Sequence, residues 1–215
     1  APPVTTINSG TTGNGDITVN DAISWTASPS TTTLKLLADR DVNVNRAITA
    51  TNGNFVICCG RDITVRAAIT TTNGSMLLNA GRAFALTNAG VLTVTDGNIT
   101  LCAGLDITIA GAMTLTRGTT VASQSLGLTP GLVLLAGNSG TGPGVAGGTV
   151  IFAPGTPPAA VTGPNAAVAI YYNPVSYATP GDYRTNFTLT SGATLNQFML
   201  LYPTATKTAD GTTNA

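Results

Sequence analysis

Residues 47–65 read AITATNGNFVICCGRDITV, and residues 68–86, twenty-one positions on, read AITTTNGSMLLNAGRAFAL. Both segments keep the same order: an alternating run, Asn-Gly, an apolar run, Gly-Arg and a second alternating run. A unit restated at a fixed interval is the mark of a repeat architecture. The rest of the chain extends the series. Gly15-Asp16-Ile17-Thr18-Val19, Arg40-Asp41-Val42-Asn43-Val44, Arg61-Asp62-Ile63-Thr64-Val65, Arg82-Ala83-Phe84-Ala85-Leu86 and Leu105-Asp106-Ile107-Thr108-Ile109 form one column, with steps of 25, 21, 21 and 23 residues between their second members. Thr51-Asn52-Gly53, Thr72-Asn73-Gly74, Thr95-Asp96-Gly97 and Thr116-Arg117-Gly118 form another, and Phe55-Val56-Ile57, Met76-Leu77-Leu78 and Ile99-Thr100-Leu101 a third.

Three short strands and three turns in about twenty residues predict a solenoid, here an all-β parallel β-helix of roughly seven to nine coils. Alternation within each strand sends Ile63, Val65 and Ile69 inward and Thr64 and Arg66 to solvent. Coils stacked about 4.8 Å apart superimpose like residues and pair each backbone group with the next coil. Regular coils are expected over residues 1–125, an irregular, loop-rich continuation with a capping region over 126–204, and a linker into a following module over 205–215. The Gly/Pro-rich stretches GNSGTGPGVAGG and APGTPPAAVTGP fit long outer loops, with a disordered linker as the rival reading. Residues Ser24 to Ser30 read as a surface loop that lengthens the first step.

Composition narrows the function. Of the 215 residues 43% are hydrophobic and only 8% charged, the net charge is zero, and the chain has neither His nor Glu. Nine scattered Lys and Arg make no patch for nucleic acid or an anionic membrane. The missing His and Glu argue against acid–base catalysis, and no cofactor is indicated. No segment approaches the roughly 18 apolar residues of a membrane span, and no basic-then-apolar signal peptide opens the chain at Ala1.

Several constellations are candidate sites. Thr49/Thr51, Thr70/Thr72, Thr93/Thr95 and Thr114/Thr116 repeat T-x-T at one place in successive coils, with Thr188/Thr190 a later echo. Such rows resemble the ice-binding face of certain antifreeze proteins, although Thr also suits any solvated strand position. Asp16, Asp41, Asp62 and Asp106 stack and could be calcium ligands, but Ala83 interrupts them and turn-forming Asp bonded to local backbone explains the column. A lyase-like site would draw on Asp41, Asp62, Arg61 and Arg66. Cys58 and Cys102 share a column with Leu37 and Asn79 two coils apart, about 9.6 Å, too far for a disulfide. Cys58, Cys59 and Cys102 are therefore small buried hydrophobes, a vicinal pair, or intermolecular links. Tyr171, Tyr172, Tyr177, Tyr183 and Tyr202 suit a solenoid cap or a glycan-stacking platform. Asn98-Ile99-Thr100 and Asn186-Phe187-Thr188 match the short N-glycosylation pattern.

The G-D-I-T-V, A-I-T-A-T-N-G and L-x-A-G units, with AIYYNPVSYATPGDYR at 169–184, resemble the secreted adhesins related to filamentous haemagglutinin that use two-partner secretion. Residues 198–213, FMLLYPTATKTADGTT, resemble the passage into the YDG-type module of such proteins, with Ala209 at the usual Tyr. The resemblance implies a right-handed β-helix shaft of a secreted or cell-surface bacterial adhesin serving attachment or biofilm. Its partners would be the rest of a larger parent adhesin, with a surface glycan or host receptor. The alternative is a subunit that joins identical copies end to end into extracellular filaments, since uncapped solenoid ends carry open strand edges.

Overall fold

A computed structural model describes residues 4–8, 14–137 and 147–201. Each coil visits three sheets in turn. In one central coil Ile63–Val65 lies in sheet B, Ala68–Thr72 in sheet C and Met76–Ala80 in sheet A. Among the described residues sheet A has eight strands, from Val4–Asn8 to Thr194–Met199. Sheet C has seven, from Ile23–Thr26 to Phe187–Thr190, and sheet B six, from Ile17–Val19 to Val150–Phe152. All pairings between these strands are parallel. Crossovers between parallel strands wind right-handed, so the molecule is a right-handed parallel β-helix.

The period-2 pattern builds the core. Leu36, Ile57, Leu78, Leu101, Leu134 and Ile170 stack as one inward column of sheet A. Val42, Ile63, Phe84, Ile107 and Val150 do so in sheet B. All are buried. Each contributes about 1.5–3 kcal/mol by leaving water, and the columns merge into one core running along the axis.

The corner between sheets C and A explains the T-N-G motif. Asn52, Asn73, Asp96 and Arg117 occupy the left-handed region, at φ +52°, +51°, +53° and +57°. Asn and Asp tolerate that conformation better than other side chains. The glycines that follow meet closely, since a Cβ on Gly74 or Gly97 would overlap the carbonyl oxygen of Gly53 or Gly74 one coil away. Beside them runs a buried polar ladder. Asn54 Oδ1 accepts the Ser75 N–H at 2.8 Å, Ser75 Oγ the Asn98 N–H at 2.9 Å, and Asn98 Oδ1 the N–H groups of Thr119 at 2.9 Å and Gly131 at 3.1 Å. These bonds satisfy corner amides that no strand can reach.

One expectation needs correction. Residues Ser24 to Ser30 are not one loop, because Ile23–Thr26 is a strand of sheet C and only residues 27–31 form the longer corner. The irregular continuation expected through the Gly/Pro-rich text keeps to the solenoid where it is described. Gly131–Leu135, Val150–Phe152 and Ala159–Thr162 take their places in sheets A, B and C, with residues 138–146 between them outside the described residues.

The two ends differ. After Tyr172 the chain leaves the coil path and returns at Phe187 without a sheet B strand. Tyr172 and Tyr183 meet edge to face with centroids 5.2 Å apart, as Phe152 and Phe187 do at 5.5 Å. Gln197 stands above Ile170 in the core column and accepts the Tyr183 N–H at 2.7 Å. At the carboxyl-terminal end aromatic rings and a hydrogen-bonded amide thus cover the core beyond the last strand of sheet B. At the amino-terminal end two open cavities of about 270 Å³ reach Thr5, Ile23, Trp25 and Leu34, and Ile7, Ile17 and Leu36.

Candidate functional site

The outward face of sheet C is the most regular surface of the molecule. One outward column runs Ser24, Thr49, Thr70, Thr93, Thr114, Ala160, Thr188. Its neighbour runs Thr26, Thr51, Thr72, Thr95, Thr116, Thr162, Thr190. The sequence-identified T-x-T pairs therefore lie side by side. Ser24/Thr26 and Ala160/Thr162 extend them. The sequence does not point to these last two pairs, because Ser24 stands in Ser/Thr/Pro-rich text that reads as a loop and Ala160 lies beyond the long coil that begins at Arg117. Every residue of the two columns is half-buried or exposed among the described residues. Between the columns Ala50, Val94, Leu115 and Val161 point into the core. Thr71, which shares their row, is also buried and donates its hydroxyl proton to the Gly74 carbonyl at 2.8 Å.

The Asp column does a different job. Asp16 Oδ1 accepts the Asp41 N–H at 3.1 Å, Asp41 Oδ1 the Asp62 N–H at 3.1 Å, Asp62 Oδ1 the Ala83 N–H at 3.1 Å, and Asp106 Oδ1 the Thr149 N–H at 3.0 Å. Each carboxylate clips its coil to the next, whereas the sequence suggested bonds within one turn. Arginines from the following coil add charge. Arg40 Nε lies 3.6 Å from Asp16, Arg61 Nε 3.4 Å from Asp41, and Arg82 forks onto Asp62 with Nε donating at 2.8 Å. The Arg82 hydrogen bonds hold the Asp62 carboxyl below the usual carboxylate range. Among the described residues no group of three His, Cys, Asp or Glu side chains is placed to hold a metal ion. Arg66 does not join this column. It follows the strand that Asp62 precedes, and its Nη1 donates to Asn43 Oδ1 at 2.9 Å and Asn45 Oδ1 at 3.4 Å.

Cys58, Asn79 and Cys102 occupy consecutive places in one outward column of sheet A, as their spacing predicts. Cys59 turns inward, in the column of Ala38, Ala80 and Ala103. All three thiols are free. Burial pushes each upward, Cys102 to about 11, and a protonated thiol is a poor nucleophile and a poor metal ligand.

The sequence did not single out the surface around Cys58 and Cys102. Leu37, Leu135 and Tyr171 share their column, and Tyr171 stacks on Phe198 with ring centroids 4.8 Å apart. Strand text such as LVLL carries apolar residues on both faces and was legible as a hint of this. Of the other tyrosines, Tyr172 and Tyr183 belong to the cap, and Tyr202 lies outside the described residues. Asn98 of the first N-x-T match is fully buried and occupied by the corner ladder.

No family model, curated protein or solved structure matches this chain.

Proposed function

We infer that the chain is a structural shaft segment of a secreted bacterial surface adhesin, carrying attachment rather than catalysis. One observation supports this above the others: a single core and three parallel ladders run from coil to coil as far as Val150–Phe152, with sheets A and C continuing beyond it, and polar side chains at the corners link neighbouring coils. The Asp column, the Asn52/Asn73 pair at 3.0 Å and the Asn54–Ser75–Asn98 ladder all consume their polar atoms in stacking. Such a body resists bending and extends at about 4.8 Å per coil. The resemblance of the repeated units to two-partner-secretion adhesins supplies the biological setting, with the parent protein, a glycan or a host receptor as partners.

The amino-terminal edge favours a second reading, end-to-end assembly into filaments. Ile7 is 43% exposed there and the two cavities open onto apolar core positions. The aromatic cap at the other end weighs against a head-to-tail join, which needs both ends open.

Negative-stain electron microscopy across a concentration series separates the two. A shaft segment gives short rods of constant length at every concentration. Fibres of uniform width that lengthen with concentration would overturn the shaft reading in favour of assembly.

A further inference from the structure

We propose that the outward face of sheet C is an ice-binding surface, with its two threonine columns as the contact residues. Threonine holds seven of seven places in the column from Thr26 to Thr190 and five of seven in the column from Ser24 to Thr188.

A general preference for Thr at solvated strand positions does not produce this. The outward column of sheet B reads Thr18, Asn43, Thr64, Ala85, Thr108, Ile151. A partly exposed outward column of sheet A reads Leu37, Cys58, Asn79, Cys102, Leu135, Tyr171. The same backbone geometry and coil spacing apply to all three sheets, yet only sheet C repeats one side chain. The selection therefore belongs to the face and not to the fold.

The array is periodic in two directions, about 4.8 Å from coil to coil and about 6.6 Å along each strand. β-branched side chains have few rotamers, so hydroxyls and methyls are held in place before any ligand arrives. Only Thr162 and Thr190 bond to each other, at 2.9 Å; the hydroxyls of Thr49, Thr51, Thr70, Thr72, Thr93 and Thr95 are not engaged by any described group. Each is left able to donate one hydrogen bond and accept two.

Charge selects the occupant. No Asp, Lys or Arg stands in either column, so an ionic ligand has nothing to pair with there, and neither described cavity is lined by a residue of the two columns. A neutral, two-dimensionally repeating surface matches a neutral, two-dimensionally repeating solid. In ice every surface water needs donors and acceptors at lattice positions, which the hydroxyl rows supply while the methyls fill the spaces between.

The test is slow growth of an ice shell from a dilute solution of the whole chain, with protein measured in the ice and in the liquid. Wild type is expected to enter the ice well above the level of an unrelated protein and to alter crystal shape. Thr72→Tyr and Thr93→Tyr, at the centre of the array, are expected to fall to that background. Thr64→Tyr, outward on sheet B, is expected to keep wild-type uptake, and circular dichroism confirms that each variant folds. Wild-type uptake at background level overturns the proposal. So does equal loss in the sheet B variant, or retention on crystalline cellulose or chitin without entry into ice. The experiment does not depend on the adhesin reading.

Discussion

Arg117 sits one coil from Asp96 and grips it with both arms of its guanidinium, Nε to Oδ1 at 2.5 Å and Nη2 to Oδ2 at 2.7 Å, while its own backbone is held at φ +57°. Asn or Asp fills the same corner in the three preceding coils, so Arg117 trades a tolerant backbone residue for an ion pair. The pair is exposed, and such pairs add little to stability. Arg117→Asn should therefore leave the urea midpoint close to that of wild type, because relief of backbone strain offsets the lost pair. Urea denaturation checks this, and a large loss would mean the ion pair dominates.

Gly74→Ala should be far more damaging than an ordinary glycine substitution. Its Cβ would overlap the Gly53 carbonyl, which the stacked coil cannot move without breaking the corner. Gly127 has a positive φ of +71° but open space around its Cβ position, so Gly127→Ala should cost only about 1 kcal/mol, the conformational term alone. Comparable urea midpoints for the two variants would contradict this.

Acidification should leave stability level down to about pH 5 and lower it below about pH 4. Hydrogen bonds from Arg82, Arg117 and Arg184 depress the carboxyls of Asp62, Asp96 and Asp182, the last to about 2. A depressed folded value means that the unfolded chain takes up protons first as pH falls. The stabilisation is complete above the unfolded value near 3.9 and is lost on the way down through the folded values. Since the chain has no His and no Glu, no such side chain titrates between pH 5 and 8. The decline should be shallow because all three pairs are at the surface, and shallower still in Arg82→Gln/Arg117→Gln. Urea midpoints from pH 7 to pH 2 measure it, and a fall beginning above pH 5 would refute it.

Cys102 should be the slowest of the three thiols to react. Its value of about 11 leaves almost no thiolate at pH 8, and burial limits access further. Iodoacetamide labelling followed by peptide mass mapping should show slow modification in buffer and rapid modification in urea. Equal native rates at Cys58, Cys59 and Cys102 would show that burial does not govern their reactivity.

The repeat, the inward columns and the shared column of Cys58 and Cys102 were legible because each depends on local alternation and on a spacing of about twenty residues. Asn52, Asn73 and Asp96 before glycine mark a turn in the sequence, and only the structure puts them in the left-handed region. The use of Asp41 was not legible, because a carboxylate bonded to its own turn and one bonded to the next coil leave the same letters in the chain.

What the sequence determined by itself was the coil: three strands, their inward faces and the turns between them, all set by side-chain period and backbone preference over a few residues. The tertiary structure alone decided which coil follows which once the spacing breaks down. Thr116 and Thr162 are paired neighbours although a long excursion separates them, and the sheet C face continues across that gap. Loops of variable length carry no periodic signal. Only the need to bury the next apolar strand and to pair the open ladder edge brings the chain back into register.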